Sequence, residues 1–140
     1  MYRILLVDDE ALIREAVSEN VDWEQYGYML AGSCENGEEA LKFIEKNPVD
    51  VVLTDICMPY MDGIKLSEKI GERYPAAKVV ILSGYDDFEY AKMAIRYGVK
   101  DYLLKPITAE ELGKVLVGIR DELDQEKKNR QKISDLNVEY

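Results

Sequence analysis

The sequence of 140 residues contains no histidine, only two cysteines and a single tryptophan. Without imidazole, the chain cannot build a zinc site on histidine ligands or pair a serine or cysteine nucleophile with a histidine base. Cations are also scarce, because 18 lysines and arginines stand against 28 aspartates and glutamates, for a net charge of −10. Phosphate contacts need clustered lysine and arginine, so this balance argues against nucleic acid binding through this chain.

Long apolar runs are missing as well. No run approaches the length that spans a membrane, and the first ten residues, MYRILLVDDE, have acids where a signal peptide needs its apolar core to continue. We therefore expect a cytoplasmic protein without a membrane partner.

The two cysteines, Cys34 and Cys57, follow the second and third apolar runs. If these runs are strands that flank the first strand, two strand spacings of about 10 Å separate them, beyond the roughly 7 Å between Cα atoms that a disulfide allows. The spacing predicts free thiols, which fits a reducing compartment.

Short apolar runs are present, and each ends in a polar side chain. They have the length and the β-branched content of strands buried on both faces, and the intervals between them are long enough for helices. The predicted strands are Arg3–Val7, Tyr28–Ser33, Asp50–Thr54, Lys78–Leu82 and Asp101–Leu104. At this chain length, the alternation predicts a single α/β domain built on one parallel sheet.

Helical patterns occupy the intervals. The predicted helices are Ala11–Asn20, a second that follows Asn36-Gly37 and ends before Pro48, Ile64–Tyr74, Asp87–Tyr97, and a last one opened by Thr108 and Glu111 as a capping box. In the first helix, Leu12 and Ala16, with Ile13, are expected to face the sheet.

Polar side chains from distant parts of the chain are expected to meet at one edge of this sheet. Asp8 and Asp9 end the first strand and Asp55 ends the third, while Ser83 and Lys105 end the fourth and fifth. The carboxyl ends of parallel strands face a common crevice. Clustered carboxylates repel one another unless positive charge neutralises them. One lysine supplies too little positive charge, and no arginine or histidine is placed to add to it. A hard dication with oxygen ligands fits, and Mg²⁺ is the usual one.

Such a site suits phosphoryl transfer. A carboxylate beside Mg²⁺, an ammonium and a hydroxyl provides a nucleophile and partners for the oxygens of an incoming phosphoryl group. Asp8 and Asp9 lie side by side and suit metal binding, whereas Asp55 stands alone on the central strand and is the better acceptor. Lys105 precedes Pro106, where a cis bond is more permissible than elsewhere, and the sequence leaves the isomer open.

Four motifs together carry a resemblance to a known family. VDDE, D-x-x-M-P-x-M-D-G from Asp55 to Gly63, ILSGY, and D-Y-L-L-K-P from Asp101 to Pro106 resemble the receiver domain of bacterial two-component response regulators. The match covers roughly residues 2–123, and the combination is specific although each motif alone is weak. The resemblance implies a flavodoxin-like (βα)5 fold: a doubly wound parallel five-stranded sheet in the strand order 2-1-3-4-5, with an extended C-terminal helix.

The resemblance also implies a role for each residue of the site. Asp55 would accept a phosphoryl group from a histidine kinase. The implied Mg²⁺ ligands are Asp8, Asp9, Asp55 and the backbone carbonyl of Cys57, with one of the adjacent acids acting through water. Lys105 would contact the phosphoryl oxygens, and Ser83 would hydrogen-bond them after transfer. Tyr102 matches the switch aromatic, whose rotamer reports phosphorylation.

Two further residues are expected to modulate hydrolysis. Cys57 and Tyr85 lie two residues beyond Asp55 and Ser83, at positions that flank the phosphoryl site in receivers. Tyr85 is expected to shield the acyl phosphate and to slow self-dephosphorylation. The alternative is that Tyr85 packs outward on the fourth helix.

Three stretches point to one branch of the family. ENVDWEQYGY, LSGYDDFEYA and GVKDYLLKPI resemble receivers that precede an AraC-type helix-turn-helix DNA-binding domain. Residues 1–124 are therefore expected to be a receiver, and residues 125–140 a linker helix or tail towards an effector domain absent from this sequence. A linker coiled coil and a solvated, fraying helix end are both open for this second stretch.

The expected role is a signalling switch in transcription regulation, not an enzyme. The implied partners are a sensor histidine kinase and a second copy, with DNA contacted only through the absent domain. The second copy would pair through the C-terminal helix or through the surface formed by the predicted fourth helix, fifth strand and last helix, hereafter the α4-β5-α5 surface. The alternative is a Mg²⁺-dependent aspartyl phosphohydrolase, but that class usually has a second aspartate where Cys57 stands. A degenerate receiver would lack an acid or the lysine, and a flavin site would need a phosphate-binding loop after the first strand.

Overall fold

The computed structural model describes residues 1–84 and 98–138, with the backbone alone for residues 134–138. The predicted fourth helix, Asp87–Tyr97, and Tyr85 lie outside the described residues. The strands are β1 (Tyr2–Val7), β2 (Tyr28–Cys34), β3 (Val51–Asp55), β4 (Lys78–Ser83) and β5 (Asp101–Leu104). The helices are α1 (Ala11–Asn20), a short 3-10 helix (Glu24–Tyr26), α2 (Gly37–Lys46), α3 (Gly63–Arg73) and the C-terminal helix (Ala109–Val138).

All five strands pair in parallel in the order β2-β1-β3-β4-β5, which confirms the predicted α/β fold and strand order. The pairing brings the carboxyl ends of the strands level with one another. Val7 lies opposite Thr54, and Ser83 lies opposite Leu104. The residues that follow these strands therefore share one edge of the sheet.

The strands are apolar at consecutive positions because the sheet is buried on both faces. Leu5 and Val7 of β1 point into a core formed with α2 and α3. Ile4 and Leu6 point to the opposite face, where the C-terminal helix and Trp23 cover them. Alternate residues of one strand thus serve two cores, as expected for a doubly wound sheet.

Helix α1 packs more loosely than the sequence predicts. Leu12 is 80% exposed and Ala16 is exposed, so the prediction that both face the sheet is wrong. Ile13, the third residue expected to face the sheet, is half-buried as predicted, and so is Val17, which packs against the core. Both pairs have the i, i+4 spacing of a single helix face, so hydrophobicity alone did not separate two orientations of the helix.

The C-terminal helix spans 30 residues and confirms the predicted extension. Thr108 Oγ1 accepts a hydrogen bond from the backbone N–H of Glu111 at 3.1 Å and caps its first turn. Its buried stripe consists of Leu112, Leu116, Ile119 and Leu123. Tyr28 donates its buried hydroxyl to the Leu116 carbonyl at 2.7 Å and fixes the helix against the sheet. No helix in the described ranges has the length and apolar content to cross a membrane.

Candidate functional site

Acidic side chains gather where β1 and β3 end. Asp8 is fully buried and Asp55 is 6% exposed, whereas Asp9 and Glu10 are exposed. One carboxylate oxygen from each of Asp8, Asp9 and Glu10 lies within 4.8 Å of the others. Glu10 was not assigned to the site from the sequence, although its position beside Asp8 and Asp9 was a signal that could have included it.

Lys105 connects the acids of the two strands. Its Nζ lies 3.2 Å from Asp55 Oδ1 and 3.4 Å from Asp8 Oδ2. Lys105 follows β5, its backbone N–H donates to the Ser83 carbonyl at 2.7 Å, and the Lys105–Pro106 peptide bond is cis. The structure therefore brings together four of the residues predicted to meet: Asp8, Asp55, Ser83 and Lys105.

Local hydrogen bonds orient the two buried carboxylates. Asp8 Oδ1 accepts from the backbone N–H of Glu10 at 2.9 Å, and Asp55 Oδ1 accepts from that of Ile56 at 2.9 Å. Each carboxylate thus accepts a hydrogen bond from a backbone N–H in the segment that follows its own strand. Backbone N–H groups therefore orient both carboxylates.

Arg14 is a second cation beside the acids, and sequence reasoning missed it. Its Nη1 donates to the backbone carbonyl of Asp8 at 2.6 Å from one turn into α1. The spacing Glu10-x-x-x-Arg14 places the two residues on one helix face, which was the available signal. Arg14 holds the turn that presents the acidic group, although it contacts a carbonyl and not a carboxylate.

Burial perturbs the acid–base chemistry of Asp55. The pKa of this carboxyl is raised from 3.8 to about 6, first because burial penalises the charged form and then because Asp8 repels it, while Lys105 acts in the opposite direction. The pKa of Lys105 is raised because Asp55 and Asp8 together outweigh the effect of burial, which alone would lower it. The site is thus short of positive charge.

This shift predicts how stability depends on pH. Between pH about 4 and 6 the folded protein keeps a proton on Asp55 that the unfolded chain has released, so Asp55 lowers stability as pH rises through this window. In EDTA at pH 7.5, we expect Asp55→Asn to unfold at higher urea, with a gain of about 1–3 kcal/mol that falls to about half at pH 5. Exposed Asp9→Asn is the control, and an equal gain at both pH values would contradict the shift.

Ser83 and Tyr102 occupy different environments near the end of the sheet. The Ser83 hydroxyl is fully buried and makes no hydrogen bond within the described part of the chain. A buried hydroxyl without a hydrogen-bond partner is rare and needs an explanation, and a ligand group that bonds to it in another state would provide one. Tyr102 is half-buried and packs against the core beside α2 and α3, so ordinary sheet packing also accounts for its place.

Cys57 is exposed and Cys34 is buried, and no disulfide joins them, as predicted. Burial raises the pKa of the Cys34 thiol to about 11. Cys57 lies in the loop after β3, two residues beyond Asp55. Tyr85, its predicted counterpart after Ser83, lies outside the described residues.

The donor set suits a hard dication. Carboxylate oxygens of Asp8, Asp9 and Glu10 lie together, and Asp8 also shares the single ammonium of Lys105 with Asp55, which leaves an excess of negative charge. Burial, and then repulsion from Asp8, raise the pKa of Asp55, and a bound cation would favour its charged form. Mg²⁺ prefers a few carboxylates and retained waters over a closed protein cage, and the partly exposed acids here provide that arrangement.

Comparison with known families decides the identity of the fold. The sequence model of the response regulator receiver domain matches residues 4–117. The chain belongs to this family. The matched residues end within the C-terminal helix, which continues to Val138.

Similar proteins extend the match beyond the receiver domain. The transcriptional regulatory protein YesN of Bacillus subtilis (strain 168) is 41% identical over 140 residues, which cover 99% of this chain and 38% of that protein. The transcriptional regulatory protein HptR of Staphylococcus aureus (strain NCTC 8325 / PS 47) is 35% identical over 150 residues, with 100% of this chain and 58% of that protein covered. The chain thus spans less than two thirds of the length of these curated relatives.

Solved structures share the receiver fold. The receiver domain of AraT, a response regulator from Geobacillus stearothermophilus, superposes with a TM-score of 0.85 at 40% identity, covering 90% of this chain and 98% of that one. A two component transcriptional regulator AraC from Clostridium phytofermentans gives a TM-score of 0.84 at 36% identity, covering 91% and 98%.

Proposed function

We propose that this receiver domain accepts a phosphoryl group on Asp55 from a histidine kinase, with Mg²⁺, and uses it to control a transcriptional output domain. The observation that carries the proposal is the position of Asp55. It is a nearly buried carboxylate at the end of the central strand, bonded to Lys105 and facing a second buried acid, Asp8. A carboxylate that accepts a phosphoryl group needs a cation beside it to stabilise the charge on the transferred oxygens, and Lys105 is placed to do so.

The transfer step is a substitution at phosphorus. An Asp55 carboxylate oxygen forms a bond to the phosphorus of a phosphohistidine, and the P–N bond breaks with its electron pair leaving on the imidazole, which then takes a proton. Lys105 already lies beside the acceptor and would stabilise the charge on the transferred oxygens. Since the Asp55 carboxylate is the nucleophile, a bound cation that favours its charged form would keep the acceptor ionised as the pH falls toward its pKa of about 6.

The proposed Mg²⁺ ligands are Asp8, Asp9, Asp55 and the backbone carbonyl of Cys57. A bound Mg²⁺ supplies positive charge to the acceptor and to the phosphoryl oxygens. The structure supports the proposal through the clustered oxygens of Asp8, Asp9 and Glu10, and Glu10 adds a further carboxylate that waters of the ion can reach. Arg14 would keep the turn that carries Asp8 in place.

Ser83 is proposed to read out phosphorylation. Its buried hydroxyl has no partner within the described residues, and a phosphoryl oxygen on Asp55 would provide one. Movement of Ser83 would then favour one of two positions of Tyr102 on β5, since a ligand biases an equilibrium only through contacts that differ between states. The α4-β5-α5 surface would change with it, and a second copy could pair there.

The proposed output is transcription. Residues 1–124 form the receiver and residues 125–140 link it to an effector domain, in line with the relatives that extend well beyond this chain and are named transcriptional regulatory proteins. The continuous helix from Ala109 to Val138 supports a helical link, since no turn separates the receiver from its extension. Cys57 and Tyr85 would set how fast water discharges the phosphoryl group.

Intact mass spectrometry tests the function. We expect the protein with Mg²⁺ and acetyl phosphate to gain one phosphoryl group, and Asp55→Asn to gain none, with Asp9→Asn weakened by loss of a metal ligand. If acetyl phosphate is a poor donor, a beryllofluoride complex that requires both Mg²⁺ and Asp55 replaces it. Fast turnover without an adduct would favour the aspartyl phosphohydrolase instead, and no reaction with either reagent would overturn the proposal.

A further inference from the structure

A short basic segment interrupts an otherwise acidic chain. Within residues 127–132, hereafter the basic arm, four of six side chains are cations, and all four are exposed: Lys127, Lys128, Arg130 and Lys132. None of them lies within 4 Å of a carboxylate among the side chains that the structure describes. The chain as a whole has a net charge of −10. A solvated helix face usually mixes both signs, and this one does not.

The arm is held at a defined place relative to the sheet. Three acids of the preceding turns are bonded to the receiver: Glu126 to Lys78 at 2.6 Å, Glu122 to Lys100 at 2.5 Å, and Asp124 to the Tyr2 hydroxyl at 2.5 Å. Tyr2 and Lys78 begin β1 and β4, at the end of the sheet opposite the Asp55 site. The helix then continues to Val138, about 18 Å beyond its last anchor.

The anchors reduce the negative charge beside the arm. Glu122 and Glu126 each pair with a lysine, so of these three acids only Asp124, whose partner is a neutral hydroxyl, keeps a net charge to set against the four cations of the arm. The acidic group at Asp8 lies at the far end of β1, about 20 Å away from Tyr2, whereas charges in physiological salt are screened over about 8 Å. The arm therefore presents a local positive field despite the net charge of the chain.

The arm also repels itself. Lys128 and Lys132 are four residues apart, and Lys127 and Arg130 are three apart, so each pair shares a helix face and destabilises the helix. No core packing offsets this repulsion, because residues 127–133 are exposed, Ile133 included. A partner that supplies evenly spaced negative charges would stabilise the extension.

Similar proteins locate the arm outside the receiver proper. The family match ends at residue 117, and the AraT receiver structure covers 90% of this chain. YesN, named a transcriptional regulatory protein, matches over 99% of this chain and so through the arm. The segment therefore accompanies proteins named for transcription and precedes whatever follows the receiver in them.

We propose that the basic arm binds the phosphate backbone of duplex DNA. Regular phosphates match exposed lysine and arginine on a rigid helix, without any requirement for base sequence. This revises the expectation that DNA is reached only through another domain. The choice of DNA as the partner rests on the proposed transcriptional output, but the binding itself requires neither Asp55 nor its phosphorylation. A second copy also carries exposed acids, Asp9 and Glu10 among them, so self-association is an outcome that the experiment has to distinguish.

Fluorescence anisotropy of a labelled 20-base-pair duplex of arbitrary sequence tests the proposal on this chain. We expect weak binding at 30 mM salt, with a Kd on the order of 10⁻⁴ M, that weakens about 7- to 50-fold when the salt is tripled, as two to four phosphate contacts require. The arm variant replaces Lys127, Lys128, Arg130 and Lys132 with glutamine. The control variant makes the same change in net charge at four exposed lysines on other turns: Lys42, Lys46, Lys65 and Lys114.

The arm variant should bind the duplex at least tenfold more weakly, while the control variant and Asp55→Asn should stay within twofold of the wild type. Circular dichroism of all variants checks that the helix remains. Equal weakening in both charge variants, or no binding by the wild type at 30 mM salt, overturns the proposal. Binding to polyglutamate that is as tight as binding to the duplex also overturns it. So does a salt-sensitive dimer, seen in sedimentation, that the arm variant abolishes when no DNA binding is detected. Since the phosphoryl adduct is measured separately, either proposal can fail alone.

Discussion

A Gly63→Ala variant is expected to lose about 3 kcal/mol or more of unfolding free energy, although it adds a single methyl group. Gly63 begins α3 and lies directly against the end of β3. A Cβ atom at this position would overlap the backbone carbonyl oxygen of Asp55 and come within 3.0 Å of the Ile56 Cα atom. Backbone atoms cannot rotate away as a side chain does, so the helix or the strand end has to shift.

The contact that forbids the methyl group also positions the acceptor. The Gly63 N–H donates to the Ile56 carbonyl at 2.7 Å, and the Asp62 side chain caps the same helix turn through the N–H of Lys65 at 2.8 Å. A shift of α3 would therefore move Ile56, whose backbone N–H donates to the Asp55 carboxylate. We expect Gly63→Ala to slow phosphoryl adduct formation as well as to lower the urea midpoint.

Gly118→Ala is the matched control. Gly118 lies in the middle of the C-terminal helix, and a Cβ there meets no neighbouring atom within 4 Å among the residues that the structure describes. Alanine is favoured over glycine inside a helix, so this variant should gain about 0.5–1 kcal/mol. If Gly63→Ala were as stable as the wild type, the close approach of α3 to β3 would not constrain the site.

The fold could be predicted because its signals are redundant. Five apolar runs, each followed by a helical interval, leave few arrangements other than a parallel sheet covered on both sides. The clustering of polar residues at the strand ends then follows from topology, because the register brings Val7, Asp55 and Ser83 to one edge of the sheet. The strand order came from the family resemblance, and pattern alone did not choose it.

Orientation within a helix was less predictable. Leu12 and Ala16 had the same spacing as Ile13 and Val17, and only the packing of α1 on the sheet separates them. The exposed Leu12 shows that an apolar residue at helical spacing need not be buried. Burial on a helix depends on its rotation about its own axis, which a loosely packed helix such as α1 leaves weakly determined.

Contacts made by backbone groups were also beyond the sequence. Arg14 binds the carbonyl of Asp8, and Gly63 packs on the carbonyl of Asp55. Sequence reasoning matches side chains with side chains of opposite charge and has no comparable signal for a carbonyl. The same limit applies to the C-terminal helix, whose apolar stripe dilutes after Leu123 although ion pairs hold its next turn to the sheet.

Replacement of Lys105 by methionine is expected to slow phosphorylation of Asp55 about 100-fold. The ammonium lies 3.2 Å from Asp55 and 3.4 Å from Asp8, where it is already in place before the phosphoryl group arrives. Loss of one such preorganised charge costs on the order of 10²-fold or more in rate, since water does not reproduce its position. Methionine keeps the length and much of the volume of the side chain, so the effect reports charge and not a cavity.

The same substitution should make stability depend on Mg²⁺. Without Lys105, the two buried carboxylates of Asp8 and Asp55 lose the cation they share, and the pKa of Asp55 rises further. In EDTA at pH 7.5 the urea midpoint of Lys105→Met should therefore fall, and added Mg²⁺ should restore more of it than in the wild type. Lys100→Met is the control, because it removes the same charge from the Glu122 ion pair at the opposite end of the sheet. Time courses by intact mass should leave Lys100→Met within twofold of the wild type, and an equal loss of rate in both variants would contradict a direct role for Lys105.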